Sequence, residues 1–271
     1  MSARDSGPDV WAAGAAYESY VGRWSRPVAR ELIDWLAMPA HKRWLDIGCG
    51  TGALTQEILA RAAPAAVVGV DTSEGFIAHA RANTSDPRAA FRVSDAQALP
   101  FADREFDVAV SGLVLNFIPR PEQALAEARR VLRPGGIAAV YVWDYAGGMQ
   151  LMRYFWSAAA ALDPRAEALD EGRRFPICKP EPLIALFESC GFAQVECRVV
   201  DVPTTFKNFG DYWSPFLGGQ GPAPTYACAL PEPQRETLRE RLQATLPTEP
   251  DGSIRLMARA FAVRGVYAAA G

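Results

Sequence analysis

The sequence contains very little lysine and no long run of basic residues. Its only lysines are Lys42, Lys179 and Lys207, and 28 basic residues stand against 31 acidic ones, for a formal net charge of −3. A protein that grips the backbone of double-stranded nucleic acid needs a basic face, because several phosphates must be neutralised. The composition therefore predicts that nucleic acid is not a partner.

Paired cysteines and metal-ligand motifs are also missing. The five cysteines are odd in number and contain no C-x-x-C pair, which excludes a disulfide scaffold and a zinc ribbon and predicts reduced thiols. The sequence has no H-E-x-x-H motif, no His/Cys cluster and no acidic calcium loop. We therefore expect no metal site.

Long hydrophobic runs are absent as well. No stretch of about 18 uninterrupted apolar residues occurs, and the first residues do not resemble a signal peptide. The sequence predicts no membrane span and, by default, a cytoplasmic location. It carries no signal for an oligomeric state.

What is present is ample apolar material. Apolar residues make up 49% of a chain of 271 residues, which predicts a globular protein with a buried core. The length exceeds what a typical single domain needs and is short for two full domains. We therefore expect one core fold that carries insertions.

Short β-rich runs alternate with helical segments in the first half of the chain. The predicted strands are Trp44–Ile47, Ala66–Val70, Phe91–Val93, Phe106–Val110 and Ile137–Trp143. The predicted helices are Val28–Met38, Gly52–Ala62, a segment capped by Ser73 that runs to Asn83, and Pro121–Leu132. Strands that alternate with helices form βαβ crossovers, so this pattern predicts a parallel sheet. Periodicity places Trp35 and Trp44 in the core.

The second half of the chain is less regular in pattern. A helix is predicted over Glu181–Cys190, with closing strands over Val195–Val202 and Met257–Val266. The segment 203–253 is rich in proline, glycine and aromatic residues and shows one helical stretch, around Gln234–Leu246. A long irregular segment in a compact domain is usually functional, so we expect a lid or binding loop there.

The strongest local motif is the run from Leu45 to Gly52, in which a strand leads into glycines that open a helix. Glycines permit a tight turn and close approach of the backbone to a ligand, and a helix N-terminus presents unpaired N–H groups. The motif predicts a nucleotide-type binding turn. Taken alone it also satisfies the loose dinucleotide fingerprint, which leaves a nicotinamide cofactor open.

Three acidic residues stand at the ends of the first three strands. Asp46 comes two residues before the first glycine, where its charge would repel a pyrophosphate and attract an ammonium or sulfonium group. Asp71 ends the second strand, the position from which an acid accepts hydrogen bonds from ribose hydroxyls. Asp95 ends the third strand and could accept from the exocyclic amine of an adenine. Together they favour a cationic nucleoside over a dinucleotide.

With these motifs the sequence resembles the class I S-adenosylmethionine-dependent methyltransferases, in particular the small-molecule branch similar to the ubiquinone/menaquinone-biosynthesis C-methyltransferases. The matching segments are Leu45–Gly52, Val70–Ser73, Ser94–Phe101, Phe106–Val108 and Val131–Gly136, in the family's order. The resemblance implies a doubly wound, Rossmann-like α/β fold with a seven-stranded, mostly parallel sheet and helical or loop lid insertions. It also implies the cofactor S-adenosyl-L-methionine.

The resemblance further implies roles for individual residues. Gly48, Cys49 and Gly50 would line the methionine part of the cofactor, with Asp46 near its ammonium group. Asp71 would bind the ribose, and Ser111 would lie beside the sulfonium. The remaining cofactor-binding candidates are Tyr20, Arg23, Thr72, Phe76, Asp95, Ala96 and Gln97, of which Arg23 would pair with the methionine carboxylate and Tyr20 would cover the site.

Catalysis and acceptor binding leave a weaker trace in the sequence. Asp144 follows the fifth strand and is the candidate general base, although it could instead cap a loop. Methyl transfer needs no dedicated base if alignment of the reactants in a water-poor pocket suffices. The acceptor-binding candidates are Asn116, Trp143, Tyr145 and Trp213. Aromatic residues of segment 203–253 suit an apolar or aromatic small-molecule acceptor, or they could merely pack the lid.

These expectations divide the chain into one methyltransferase domain over 1–271. Its parts are an N-terminal arm over the cofactor at 1–40, a cofactor-binding core at 41–143, acceptor-side insertions at 144–179 and 204–253, and closing elements at 180–203 and 254–267. The predicted function is methyl transfer to a small organic acceptor. The alternatives are a non-catalytic module that binds S-adenosylmethionine and a nicotinamide-dependent oxidoreductase.

Overall fold

One mixed β-sheet organises the fold. The structure, a computed structural model, describes residues 22–219 and 221–268, so Tyr20 lies outside the described residues. In these ranges the strands are β1 (Arg43–Ile47), β2 (Ala66–Asp71), β3 (Ala89–Val93), β4 (Phe106–Gly112), β5 (Leu132–Trp143), β6 (Ala193–Phe206) and β7 (Ile254–Val266). They form one seven-stranded sheet in the order β3-β2-β1-β4-β5-β7-β6.

The first five strands run parallel to one another. β1 pairs with β2 and β4, β2 pairs with β3, and β4 pairs with β5, all in parallel, whereas β7 pairs antiparallel with β5. The order reverses at β1, which is the first strand yet lies mid-sheet beside β4. In open α/β sheets, ligands bind at the carboxyl ends of the strands beside such a reversal. The predicted fold class is thereby confirmed.

Helices connect and follow these strands. They are α1 (Arg23–Leu36), α2 (Ala53–Arg61), α3 (Glu74–Ala82), α4 (Pro121–Val131), α5 (Gln150–Leu162), α6 (Glu171–Arg174), α7 (Pro180–Ser189), α8 (Phe209–Trp213), α9 (Pro222–Ala229) and α10 (Glu232–Thr245). Short 3₁₀ turns cover Leu115–Phe117, Pro164–Leu169 and Ser214–Leu217.

The chain separates into two compact units. The sheet unit contains residues 25–143, 177–200 and 260–268 of the described chain, and the helical unit contains 22–24, 144–176 and 201–259 without residue 220. Each unit has its own buried residues. The chain passes from the sheet unit to the helical unit directly after β5, between Trp143 and Asp144.

Burial in the sheet unit follows from the parallel pairing. In β1 the consecutive residues Trp44, Leu45, Asp46 and Ile47 are all buried, although alternate side chains point to opposite faces. Both faces of the strand are therefore covered, as is general for parallel sheets. The one carboxylate in this buried run, on Asp46, therefore needs an explanation.

Two expectations about the first helix are wrong. α1 begins at Arg23, five residues before the predicted start, with Pro27 inside it. A proline inside a helix removes one backbone hydrogen bond and crowds the preceding turn, which is why the sequence pattern places the helix start after Pro27, but α1 continues through it. Trp35 is only partly buried, and the Arg264 guanidinium lies 4.8 Å from the centre of its ring.

The segment 203–253 is more regular than its composition suggests. Besides α10 it contains α8, a 3₁₀ turn and α9, none of which the sequence pattern predicts. Proline opens the first turn of α9, where its missing N–H would have no partner in any case. The expectation of a largely irregular loop is wrong for this reason.

None of the helices in the described part of the chain is long and apolar enough to cross a membrane.

Candidate cofactor and acceptor sites

The glycine turn joins β1 to α2 in the sheet unit. Gly48, Gly50 and Gly52 all adopt positive φ angles, of 72°, 53° and 91°. The N–H groups of Gly48 and Cys49 both donate to the carbonyl of Val70 at the end of β2, at 2.7 and 2.9 Å. These bonds hold the turn against β2, so the N–H groups of the turn lie beside the end of that strand.

Two of these glycines have different surroundings. A Cβ atom added to Gly48 would lie 2.6 Å from the Val114 side chain, whereas one added to Gly50 would meet no atom of the described residues within 4 Å. Gly48 is therefore required by packing as well as by its backbone angle. Gly50 borders open space, as a glycine that lets a ligand approach the backbone should.

Asp71 lies half-buried at the end of β2, beside the turn. Its Oδ2 accepts a hydrogen bond from the N–H of Gly50 at 3.0 Å, and its Oδ1 accepts from the N–H of Ser73 at 2.9 Å. Burial raises the pKa of this carboxyl group above its ordinary value. Each carboxylate oxygen retains a second lone pair, so the group can still accept hydrogen bonds from a ligand.

Asp46 is fully buried on β1. Its Oδ2 accepts a hydrogen bond from the hydroxyl of Thr55, at 2.6 Å, and its Oδ1 has no partner among the residues that the structure describes. Burial raises the pKa of the carboxyl group to about 7, a rise that the bond from Thr55 opposes and the charge of Asp71 adds to. A buried, unpaired carboxylate oxygen is costly unless something binds to it.

Cys49 contributes backbone atoms rather than a reactive thiol. Its side chain is buried and packs with Ile77, Ala80 and Phe91. Burial raises the pKa of the thiol far above its ordinary value, so the sulfur stays protonated. Only the thiolate form of cysteine is nucleophilic, so the protonated thiol of Cys49 is not a reactive nucleophile.

The third acidic position is built differently from the first two. Asp95 is exposed, and its Oδ1 accepts from the backbone N–H of Gln97 at 2.8 Å, while the Gln97 side-chain amide also donates to the carboxylate. Ala96 between them is half-buried. The N–H of Ser94 donates to the carbonyl of Asp71 at 2.9 Å, which ties this segment to the end of β2.

The remaining candidates of this region lie on α3 and before it. Ser73 caps α3 by accepting a hydrogen bond from the N–H of Phe76, as predicted, and the Phe76 ring is half-buried. Thr72 is exposed, and its N–H helps to stabilise the Asp71 carboxylate. The structure thus brings the candidates between residues 46 and 97 together at the carboxyl ends of β1, β2 and β3.

At the end of β4, two polar side chains carry buried atoms without partners in the described ranges. They are the hydroxyl of Ser111 and both amide atoms of Asn116. The Ser111 hydroxyl lines a cavity of about 20 Å³ whose other lining side chains are all apolar, which is room for one water molecule. Asn116 lies in the 3₁₀ turn after the strand, beside the buried Leu115.

Three further candidates, Asp144, Trp143 and Tyr145, are buried or already engaged in contacts within the protein. Asp144 accepts hydrogen bonds from the N–H groups of Gly147 and Gly148, at 2.9 and 2.7 Å. This is what a loop-capping aspartate does, which is the alternative interpretation of Asp144, and its role as a base stays a prediction. Trp143 is buried in β5 of the sheet unit, and Tyr145 packs against the Phe175 ring in the helical unit.

Arg23 belongs to the helical unit and is held there. Its Nη1 pairs with Asp211 at 3.0 Å, and its guanidinium lies 4.6 Å from the ring centre of Trp24 and 4.7 Å from that of Phe206. Its Nε and Nη2 are buried and unpartnered among the described residues, so they could still bind a carboxylate. The pairing of Arg23 with the methionine carboxylate stays a prediction.

The aromatic residues of segment 203–253 mostly pack on one another. Tyr212, Phe206 and Phe216 are fully buried, and Phe216 stacks on Phe155 of α5 with ring centres 4.5 Å apart. Trp213 is nearly buried and stacks on the half-buried Phe209. Most of these rings therefore form the core of the helical unit, which is the second of the two interpretations of this cluster.

Two buried polar residues escape prediction from the sequence. Thr55 is the only hydrogen-bonding partner of Asp46 among the described residues. In the sequence, however, it looks like an ordinary helix residue nine positions after Asp46. Glu171 of α6 is 1% exposed; its Oε2 accepts from the indole N–H of Trp156, and its Oε1 has no described partner. Burial raises the pKa of Glu171 to about 7. No local pattern signals either residue, because both are defined by their packing.

Comparison with known proteins identifies the family. A model of the family described as a methyltransferase domain matches residues 45–140. A ubiquinone/menaquinone biosynthesis C-methyltransferase from Dinoroseobacter shibae is 33% identical over 183 residues, which is 62% of this chain and 72% of the relative. The chain belongs to the class I S-adenosylmethionine-dependent methyltransferases.

Further similarities of this methyltransferase agree with that family. A trans-aconitate 2-methyltransferase from Variovorax paradoxus is 34% identical over 130 residues, which is 48% of this chain and 49% of the relative. The solved structure of a phosphoethanolamine N-methyltransferase from Haemonchus contortus, in complex with S-adenosyl-L-methionine, superimposes with a TM-score of 0.60 at 18% identity. That likeness covers 94% of this chain and 57% of the other and shows the shared fold.

S-adenosylmethionine is therefore the cofactor of this methyltransferase, and the residues of the sheet unit fit it. Gly50 leaves open space at the turn, Asp46 offers an unpartnered buried oxygen, and Asp71 stands beside both. An ammonium group is a donor that a buried carboxylate can satisfy, and a ribose supplies hydroxyl donors for a second one.

Proposed function

We propose that this methyltransferase transfers the methyl group of S-adenosylmethionine to a small organic acceptor with an apolar or aromatic body. The proposal depends above all on the Oδ1 of Asp46, which has no partner within residues 22–219 and 221–268, because a buried carboxylate oxygen beside a glycine turn suits a cationic ligand and opposes a pyrophosphate. The relative from D. shibae, a C-methyltransferase of ubiquinone/menaquinone biosynthesis, supports the small-molecule acceptor.

Each site residue has a proposed task. Asp46 binds the ammonium group of the cofactor, Asp71 binds the ribose hydroxyls, and the Gly48–Gly50 backbone lines the methionine part. The segment from Asp95 to Gln97 contacts the adenine. Asn116, with its buried unpartnered amide, orients a polar group of the acceptor.

Bound S-adenosylmethionine supplies a methyl group that is already activated on a positively charged sulfur. The chain therefore needs mainly to align the acceptor atom with that group and to exclude water, and correct alignment alone can remove much of the barrier. The buried strand ends of β1 and β4 provide such a water-poor setting. Asp144 stays a candidate base, but its oxygens already accept two backbone hydrogen bonds.

An acceptor panel tests this proposal. Purified protein would be incubated with S-adenosylmethionine and demethylated quinols, phenols, small carboxylic acids including trans-aconitate, or small amines, and products would be detected by mass spectrometry. We expect methylation of an aromatic acceptor. Methylation of carboxylic acids or amines alone would contradict the acceptor class, and cofactor binding without any product would favour the non-catalytic module.

Calorimetric titration tests the proposed role of Asp71. We expect Asp71→Ala to weaken binding of S-adenosylmethionine by about 1.5–3 kcal/mol, the range for a lost hydrogen-bonding partner that carries a charge. Asp86→Ala is a control, because the Asp86 carboxylate also accepts a backbone N–H hydrogen bond but does so from Arg88, outside the proposed site. Equal dissociation constants for Asp71→Ala and the parent would remove Asp71 from the site.

A further inference from the structure

Asp46 lacks a positive counter-charge in the part of the chain that the structure describes. It is buried on β1, in register with Gly69 of β2 and Val110 of β4. The hydroxyl of Thr55 in α2 donates a hydrogen bond to it at 2.6 Å. The hydroxyl bond goes to Oδ2, so the opposite oxygen, Oδ1, is left for a ligand.

The titratable neighbours of Asp46 make its negative charge harder to sustain. Asp71 at the end of β2 repels it, and the Cys49 thiol in the glycine turn stays neutral. α2 contributes Thr55, which carries no charge, and β4 places the apolar Val110 beside Asp46. The groups that act on this carboxylate in the described chain therefore include no cation, and its pKa rises to about 7.

We propose that Thr55 is a positioning residue that turns the Oδ1 of Asp46 toward the ammonium group of the cofactor, and that cofactor binding releases the proton that otherwise neutralises Asp46. The inference rests on the proposed role of the glycine turn in binding S-adenosylmethionine. It adds a residue that lies outside the Leu45–Gly52 motif and a linkage between cofactor affinity and pH.

The physical basis is the fixed orientation of the carboxylate. Thr55 is itself fully buried on the first turn of α2, so its hydroxyl has little freedom to leave Asp46. With Oδ2 held, the plane of the carboxyl group is set and Oδ1 does not need to reorient on binding, which lowers the cost of association. The hydroxyl also favours the ionised form, the one that an ammonium group requires.

The linkage has a defined sign. Below pH 7 most of the unliganded Asp46 carries a proton, which must leave before an ammonium group can bind. The dissociation constant should therefore fall about tenfold for each pH unit as the pH rises toward 7, and should then level off. A ligand without an ammonium group should show no such slope.

Isothermal titration of the parent protein tests the linkage without any variant. The probes are S-adenosylhomocysteine, which has the ammonium group, and 5′-methylthioadenosine, which lacks it, between pH 5.5 and 7.5 in buffers of different ionisation enthalpy. We expect S-adenosylhomocysteine to release about one proton at pH 6, and 5′-methylthioadenosine to release none. Binding of S-adenosylhomocysteine with a flat pH profile and no proton release would overturn the inference.

Variants of Thr55 test its positioning role. Thr55→Val keeps the shape and removes the hydroxyl, so the pH at which the dissociation constant levels off should rise by about one unit, and the dissociation constant at pH 7 should rise about fivefold. Thr55→Ser restores a hydroxyl and should restore the parent profile. Thr204→Val is the matched control, because Thr204 is also fully buried but its hydroxyl has no described partner.

The outcomes separate this inference from the proposed function. If S-adenosylhomocysteine and S-adenosylmethionine fail to bind the parent protein at every pH, the proposed function fails. If both bind and Thr55→Val, folded by circular dichroism, keeps the parent pH profile, the positioning role of Thr55 is refuted while the proposed function stands. A shifted profile for Thr204→Val would equally refute a specific role of Thr55.

Discussion

Gly48 and Gly50 illustrate how two residues of one motif serve different ends. Both have positive φ angles, which cost a residue with a Cβ atom roughly 1–2 kcal/mol. Only Gly48 is also closed in by a side chain, that of Val114. The sequence motif does not distinguish the two glycines. Their surroundings do: packing against Val114 requires a glycine at position 48, whereas Gly50 borders the space proposed for the ligand.

Alanine substitutions should separate these two requirements. We expect Gly48→Ala to lower the free energy of unfolding by about 2–4 kcal/mol, through backbone strain and the clash with Val114. Gly50→Ala should lower it by only about 1–2 kcal/mol but weaken S-adenosylhomocysteine binding at least about tenfold, because its Cβ enters the open space. Urea unfolding and calorimetry measure the two effects.

A third alanine variant, Gly252→Ala, is the control for this comparison. Gly252→Ala has the same backbone strain, with a φ of 84° and no atom near the added Cβ, but lies in the turn before β7. It should lose stability as Gly50→Ala does and keep the parent affinity. If Gly50→Ala also keeps the parent affinity, the cofactor does not approach the turn at this glycine.

The three acidic residues were predicted as one set and differ in the structure. Asp46 is buried with one free oxygen, Asp71 is half-buried and braces the turn, and Asp95 is exposed and bonded to Gln97. Their positions at strand ends follow from spacing along the chain. The raised pKa values of Asp46 and Asp71 follow from burial, which spacing does not reveal.

Among the helices, α6 is short but contains an unusual carboxyl group. Glu171 is buried against the Trp156 indole of α5, with Asp170 and Arg153 as its nearest charges. Arg153 is paired with Asp170, so its charge is shared. Burial raises the pKa of Glu171 from 4.5 to about 7.

The raised pKa of Glu171 predicts how the stability of the protein changes with pH. The folded state favours the protonated form, so the stabilisation is complete below about pH 4.5 and is lost as the pH rises through about 7. Glu171→Gln cannot ionise and keeps an oxygen for the Trp156 indole. The difference in free energy of unfolding, variant minus parent, should therefore rise by on the order of 2 kcal/mol between pH 5 and pH 8. Urea unfolding measures this difference.

Glu167→Gln is the control for this effect. Glu167 lies on the neighbouring 3₁₀ turn, paired with Arg173, and 46% of its side chain is exposed. A difference from the parent that grows with pH as much as that of Glu171→Gln would show that the effect does not come from the buried carboxyl group. A difference for Glu171→Gln that is independent of pH would show that Glu171 is already ionised in the folded protein near pH 5.

The regular elements were predictable to different degrees. The strands β1 to β5 and the helices between them follow the sequence pattern, because each apolar run is short, buried and bounded by turn residues. The helices α5, α6, α8 and α9 do not follow it. Proline residues in α9 suggest a loop by composition, although proline is well tolerated in a first helical turn.

Stability of the entire chain should respond to the cofactor product. A ligand that binds only the folded state stabilises it by about 2.7 kcal/mol at one hundred times its dissociation constant. For a chain of this size that corresponds to a rise in melting temperature on the order of 5–10 °C. Differential scanning fluorimetry with S-adenosylhomocysteine measures this shift.

The variant Asp71→Ala gives the matched comparison for the thermal shift. At the same concentration of S-adenosylhomocysteine its shift should be clearly smaller, since its dissociation constant is expected to be higher. NAD at equal concentration should give no shift at pH 8, where most of Asp46 is ionised and repels a pyrophosphate at the turn. A larger shift with NAD than with S-adenosylhomocysteine would contradict the cofactor assignment.

The sequence by itself determined the family, the cofactor and the sheet that binds it. Those features are encoded by residues close together along the chain, in strand-turn-helix units whose spacing has few structural solutions. The tertiary structure alone decided which oxygen of Asp46 is free, that Thr55 holds the other, that Asp144 caps a loop, and that Glu171 is buried. Burial and hydrogen bonding depend on partners that the chain brings together only by folding, and they set the charge and orientation of each group.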